Sequence, residues 1–212
     1  MTVPAEVLPT RELVARAAAL AASGERVLLG LAGAPGAGKS TLAAALVRAL
    51  GDAVVAVPMD GFHLADPVLD RLGLRHRKGA PETFDAAGYV HLLRRLRARE
   101  DDVVYAPVFV RAQEHALAGA LAVPRDVPLV LTEGNYLLSD GAFAPVRGLL
   151  DACWYLDPDP ALRRARLVSR HVRHGRSPAD AEAWVAGSDD ANAALVDATR
   201  ARADLVVRVA DR

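Results

Sequence analysis

A six-residue apolar run, Val27–Ala32, leads into Gly33-Ala34-Pro35-Gly36-Ala37-Gly38-Lys39-Ser40-Thr41, and a helix-like stretch over residues 39–50 follows at once. A run that is apolar at every position suits a strand buried on both faces rather than one. The turn after it matches G-x-x-x-x-G-K-[ST] in the context that pattern requires, strand before and helix after. Glycines let the backbone curl so that successive N–H groups point inward, and the helix N-terminus adds its partial positive charge. The expected result is a cradle for the phosphates of a nucleoside triphosphate. Gly33, Ala34, Pro35, Gly36, Ala37 and Gly38 form its wall, Lys39 reaches the β- and γ-phosphates, Ser40 ligates Mg²⁺, and Thr41 lies near the α-phosphate. The alternative is a glycine turn by coincidence. It has to place one of only two lysines in the chain, Lys39 and Lys78, at the key position.

Further apolar runs at residues 54–57, 129–132, 152–156 and 205–209 alternate with helical patterns. Helices are expected over residues 10–22 with Thr10 as cap, and over 85–99 with Asp85 as cap. Pro160 falls in the first turn of an Arg-rich helix reaching about residue 172, Ser177-Pro178 opens another, and Asp189 a last one. Pro107 closes a further strand. This alternation predicts an α/β fold: a doubly wound, mostly parallel sheet of about five strands, with ligands at the carboxyl ends of the strands. Residues 1–212 fit one domain, with a small helical Arg-rich lid at about 160–178.

Charge and cysteine content narrow the partners. The 26 basic and 26 acidic residues cancel, whereas proteins that grip nucleic acid or anionic membrane carry a basic excess. The single cysteine, Cys153, allows no internal disulfide and suits a reducing compartment. The first nine residues lack a secretion-signal pattern, and no apolar run is long enough to span a membrane. A cytoplasmic protein without nucleic-acid or membrane partners is the expectation, and a homodimer is allowed.

The cradle alone does not say what is done with the triphosphate. An N-K-x-D guanine motif and an L-S-G-G-Q-like transporter signature are both missing, and the 129–132 run ends in Glu133 alone rather than an Asp-Glu pair. The 54–57 run leads into Pro58-Met59-Asp60-Gly61-Phe62-His63. That puts a carboxylate at the sheet edge facing the γ-phosphate, where it can align an attacking hydroxyl or accept its proton. Asp-Gly is also a common turn pair, so Asp60 alone leaves both readings open.

Four segments then occur in order: Gly33 to Thr41; Met59-Asp60-Gly61-Phe62-His63; Lys78-Gly79-Ala80-Pro81-Glu82-Thr83-Phe84-Asp85; and Glu133-Gly134-Asn135-Tyr136. Together they resemble the phosphoribulokinase, uridine kinase and bacterial pantothenate kinase superfamily. The likeness is greatest to its short, nucleoside or nucleotide kinase-like (fructokinase-like) members, and it extends from about residue 27 to 209. The resemblance implies an ATP:alcohol phosphotransferase using ATP and Mg²⁺. Asp60 matches the catalytic acid, and Glu133 matches an acid that helps hold Mg²⁺, with Ser40 and Asp60 beside it. His63, Lys78, Phe84, Asp85, Arg111 and Asn135 are the acceptor-side candidates with Asp60 and Glu133. Asp85 also has its reading as a cap, and His63 as a structural histidine.

On the 160–172 helix, Arg163, Arg166 and Arg170 share one face. They can close over the triphosphate, or they can form a solvated basic face paired with Asp157, Asp159 and Asp180; the resemblance singles out Arg166 and Arg170. Two departures bear on the acceptor. Relatives carry an acid near the position of Val110, and the lid is one residue shorter between Arg170 and Arg176 than in uridine kinases. A small-molecule hydroxyl acceptor of sugar type is therefore expected over a nucleoside or pantothenate. A nucleotide-binding regulatory protein is the other class, although it would need neither Asp60 nor Glu133. Tyr105, Phe109 and Tyr136 are either pocket wall or core.

Overall fold

The computed structural model describes residues 4–210. Its centre is a six-stranded sheet in the order β1 (Glu6–Pro9), β8 (Leu205–Ala210), β7 (Ala152–Leu156), β2 (Val27–Ala32), β6 (Leu129–Gly134), β3 (Val54–Pro58), with every pairing parallel. The sixth strand corrects the expected five: β1 is only four residues long and ends in Pro9. Proline cannot donate to a ladder and is confined to edges, and the β1 edge is where it sits.

Alternate residues of each strand feed two separate cores. Val27, Leu29, Leu31, Leu129, Leu131 and Trp154 pack against Leu13 and Ala17 of α1 (Thr10–Ala21) and Leu42 and Leu46 of α2 (Lys39–Leu50). Leu28, Val57, Val130, Cys153 and Val206 pack against α4 (Ala86–Ala98) through Tyr89, Val90, Leu93 and Leu96, with Val146 of α5 (Ala144–Leu149) and Val196. A strand buried on both faces has no polar side to show, which explains the unbroken apolar runs in the sequence. Each fully buried Leu or Val stabilises the fold by about 1.5–3 kcal/mol.

Caps follow the sequence with two exceptions. The Asp85 carboxylate accepts from Gly88 N–H at 2.8 Å, and Ser177 accepts from Asp180 N–H. Asp159 caps α6 (Pro160–Arg173) by accepting from Ala161 and Leu162 N–H. Thr10, however, is the first helical residue of α1; the cap position is Pro9, with no side-chain bond. Asp189 does stand at the start of the last long helix, but its side chain makes no cap bond. It closes a π-helical turn, Val185–Asp189, wedged between α7 (Pro178–Trp184) and α8 (Asp190–Asp197).

Pro107 lies inside a strand, not at its end. β4 (Val103–Val110) and β5 (His115–Pro124) form an antiparallel hairpin apart from the main sheet, with a register shift between Ala106 and Val108. The hairpin crosses the short turn Met59–Phe62 so closely that a Cβ on Gly61 would lie 2.4 Å from the Pro107 carbonyl oxygen. Between β4 and β5, the tip Arg111 to Glu114 hangs beside Asp60.

Candidate active site

The strand order reverses around β2, with β7 on one side and β6 on the other. That reversal is where a doubly wound sheet opens a crevice at its carboxyl edge. Register aligns the edge: Leu31 pairs with Glu133, Ala32 with Gly134, and Pro58 with Glu133. The glycine-rich loop, Glu133 and the Asp60 turn thus emerge side by side. Glu133 is within β6 rather than after it.

Lys39 is buried, and its Nζ donates to Gly33 O at 2.8 Å, Ala34 O at 3.1 Å and Asn135 Oδ1 at 2.7 Å. Burial pushes its pKa down, and the nearby Glu133 and Asp60 carboxylates pull it back up. Ser40 Oγ donates to Glu133 Oε1 at 2.8 Å. Burial, then repulsion from Asp60, pushes the Glu133 carboxyl up, with Lys39 and Ser40 opposing. The sheet edge therefore holds a cation and a carboxylate largely out of water, each partly offsetting the other's desolvation.

Asp60 is more open, and Arg111 Nη2 approaches its Oδ2 at 3.4 Å. His63 Nδ1 bonds the Asp60 carbonyl oxygen at 2.8 Å. A carbonyl only accepts, so Nδ1 carries the hydrogen and Nε2 is left unprotonated in the neutral ring. Burial, the largest influence, lowers the His63 pKa and favours that neutral form. The ring lies between Phe84 at 4.0 Å and Phe109 at 4.8 Å, measured between centroids. Lys78 Nζ reaches Asp66 Oδ1 and Glu114 O, both at 2.7 Å, and sits 5.5 Å over the Phe109 ring. It ties the start of α3 (Asp66–Leu72) to the hairpin tip.

Helix α6 lies directly on the cradle. A Cβ on Gly36, whose φ is +79°, would meet Leu167 Cγ at 2.7 Å and Arg163 O at 3.0 Å. One on Gly38 would stand 3.5 Å from Arg166 Nη1. Arg163 donates to Pro35 O at 3.3 Å and pairs with Asp190 at 2.7 Å, and Arg164 also pairs with Asp190. Arg170, one turn beyond Arg166, is pushed down in pKa by burial and held up by Asp189 and Asp60.

Most of the expected site residues converge, with different duties. Lys39, Ser40, Asp60, Glu133, Arg111, His63 and Lys78 gather at the edge. Asn135 faces the cradle through Lys39 rather than the acceptor side. Phe84 is only 7% exposed and belongs to an aromatic cluster with Tyr136 and Phe143, presenting a ring to His63. Asp85 is an exposed cap. Tyr136 is core, its hydroxyl donating to Gly79 O, and Tyr105 stands exposed on β4. The acids named as alternative partners for the lid arginines are engaged otherwise: Asp157 pairs with Arg200, Asp159 caps α6, and Asp180 bonds Ser177. Asp190 and Asp189 take that part. Nothing in the sequence set them apart, because adjacent acids at a helix start read as caps.

A phosphate cradle flanked by single carboxylates, with arginines laid over it from a separate helix, is the arrangement of a P-loop kinase. The chain belongs to the phosphoribulokinase / uridine kinase family, whose profile matches residues 28–212. A Schizosaccharomyces pombe protein provisionally named as a uridine kinase is 37% identical over 182 residues, 81% of this chain and 77% of its own. A Rhodococcus erythropolis pantothenate kinase is 28% identical over 207 residues, 85% of this chain and 66% of its own. The crystal structure of a protein from Silicibacter sp. TM1040, provisionally described as a fructose transport system kinase, superposes with a TM-score of 0.82 at 39% identity. That likeness covers 94% of this chain and 98% of the other. The chain is accordingly a kinase of this family.

Proposed function

We propose that this kinase transfers the γ-phosphate of ATP to a hydroxyl of a small polar metabolite, with a sugar or sugar-like alcohol as the favoured acceptor. The observation that carries the reading is the meeting of Lys39, Ser40, Glu133 and Asp60 at one sheet edge, with His63, Phe109 and Arg111 beside Asp60. In that reading Gly33 to Thr41 hold the triphosphate. Lys39 exchanges at least one of its three present acceptors for phosphate oxygen, since an ammonium has only three donors. Asp60 aligns the acceptor hydroxyl and takes its proton as the oxygen bonds to phosphorus, while ADP leaves. Arg166 and Arg170 neutralise charge on the transferring group.

The residues present suit Mg²⁺. No cluster of three or more His, Cys, Asp or Glu able to hold a metal occurs among the described residues. Mg²⁺ in such sites takes one or two protein oxygens, its remaining ligands being phosphate and water. Ser40 Oγ and Glu133 would hold it, with Asp60 near, and it would supply charge neutralisation at the phosphates.

On the acceptor side, His63, Lys78, Arg111 and Asp60 offer donors and acceptors that a polyol can pair with. An apolar acceptor would pair with neither the Asp60 carboxylate nor His63 Nε2, and burying such a group without a partner costs roughly 1–3 kcal/mol. A nucleoside is the second reading. It is favoured by the His63–Phe109 ring pair, on which a base could stack, and by the name of the yeast relative. Coupled ADP release with Mg-ATP across monosaccharides, sugar phosphates, nucleosides and pantothenate separates these. Turnover confined to nucleosides overturns the sugar preference. The lid at 160–178 is part of the proposal too: helix α6 and the turn after it form a unit over the cradle within a single domain.

A further inference from the structure

Arg170 is placed by its position on α6, yet its neighbours on the far side are not on α6. The π-helical turn Val185–Asp189 inserts between α7 and α8 and sets two consecutive acids against the lid helix. Asp190 holds Arg163 and Arg164 at the N-terminal end, at 2.7 and 2.8 Å. Asp189, only 7% exposed, accepts from His171 Nε2 at 2.7 Å at the C-terminal end. The residue that His171 adjoins is Arg170. Such π turns are rare and occur frequently at functional sites. Here the turn buries a carboxylate that an ordinary helical register would carry elsewhere around the axis.

We propose that Asp189 is a positioning residue for phosphoryl transfer: through its 2.7 Å bond to His171 it fixes the C-terminal end of α6, and with it the Arg170 guanidinium that this end carries toward the phosphates. The Asp189 side chain bonds His171 rather than a residue of the cradle. Its carboxylate fixes the His171 ring and so the end of α6 from which Arg170 projects. It is also the foremost charge supporting Arg170 against desolvation. Without it, the guanidinium can turn toward solvent, and its contribution to the transition state falls while ground-state ATP binding at the cradle persists. This rests on the kinase reading above and on Arg170 acting in transfer.

The test is a double-mutant cycle of Asp189→Asn and Arg170→Ala, read as kcat and ATP KM in coupled ADP release with Mg-ATP and the monosaccharide that gives the fastest turnover with wild type. The expected result is a kcat drop of about 10-fold or more for Asp189→Asn with ATP KM within about 2-fold, and no further drop when it is added to Arg170→Ala. Full additivity of the two losses, or unchanged kcat in Asp189→Asn, overturns the proposal. Wild-type kcat in Arg170→Ala alone would instead remove the lid arginine from the mechanism, a failure of the underlying reading. Should Asp189→Asn melt at assay temperature, Asp189→Glu and His171→Gln are measured in the same cycle. Both are expected to lose kcat only when Arg170 is present, and loss that is equal with and without Arg170 contradicts the proposal.

Discussion

Asp60 and Glu133 are both carboxylates at one sheet edge, and their surroundings divide the work. Asp60 is partly open on a short turn, with Arg111 at its flank; Glu133 is buried beside Lys39 and Ser40. Asp60→Asn should lower kcat by at least about 10²-fold, the scale of a lost general base, with ATP affinity nearly unchanged. Steady-state kinetics with an ATP titration checks this, and an unchanged kcat moves the base role to another acid. Glu133 carries a stability consequence with a definite sign. Its folded-state pKa lies above the ordinary 4.5, so between the two values the folded protein binds more protons than the unfolded. Stability then falls as pH rises through that window. Glu133→Gln removes the dependence, so its Tm relative to wild type should improve from about pH 4.5 upward while activity is lost. Melting curves at several pH values decide it; a gap that does not widen with pH contradicts the burial argument. Such a trade of stability for function is common where a site holds buried charge.

At the scale of elements, much of the site was legible and some was hidden for identifiable reasons. Val27–Ala32 and Gly33 to Thr41 declare strand, cradle and helix because each local rule points the same way. β5 was not legible: His115-Ala116-Leu117-Ala118-Gly119-Ala120-Leu121 is rich in Ala and Gly, which are depleted in strands, and the strand exists by pairing with β4. β1 is too short for any period to show. The π turn cannot be read from pattern: Gly187-Ser188-Asp189 reads as a break between two helices, with Asp189 opening the second. The hairpin matters to chemistry because it rests on the Asp60 turn. Gly61→Ala would drive a methyl to 2.4 Å from the Pro107 oxygen, so hairpin and turn must part. That overpacking should cost about 1–3 kcal/mol. It should also lower kcat by displacing both Asp60 and Arg111. Unchanged melting and kcat would mean the hairpin yields freely and does not set the acid's position.

Across the whole molecule, sheet and helices are joined by a few buried polar ties that no motif announces. Arg26, at 9% exposure, donates to the carbonyls of Leu96, Pro124, Arg125 and Val127. It thereby locks the end of α4 and the exit of the hairpin to the start of β2. In the sequence it is one arginine among many. Arg26→Met keeps bulk but strands these acceptors, at about 1–3 kcal/mol. For a chain of this size that is roughly 2–4 °C of Tm for each kcal/mol. Calorimetry measures it; a variant melting with wild type would show that water replaces the guanidinium.

At the edge built by Lys39 and Asp60, phosphate is expected to pass from ATP to an alcohol. The most direct measurement follows γ-labelled ATP and asks where the label goes in the presence of Mg²⁺ and a sugar or polyol acceptor. Label is expected on the acceptor hydroxyl, with transfer abolished in Lys39→Ala and reduced at least about 10²-fold in Asp60→Asn. Label released only as inorganic phosphate with every polar alcohol, at rates the two variants share with wild type, would contradict it.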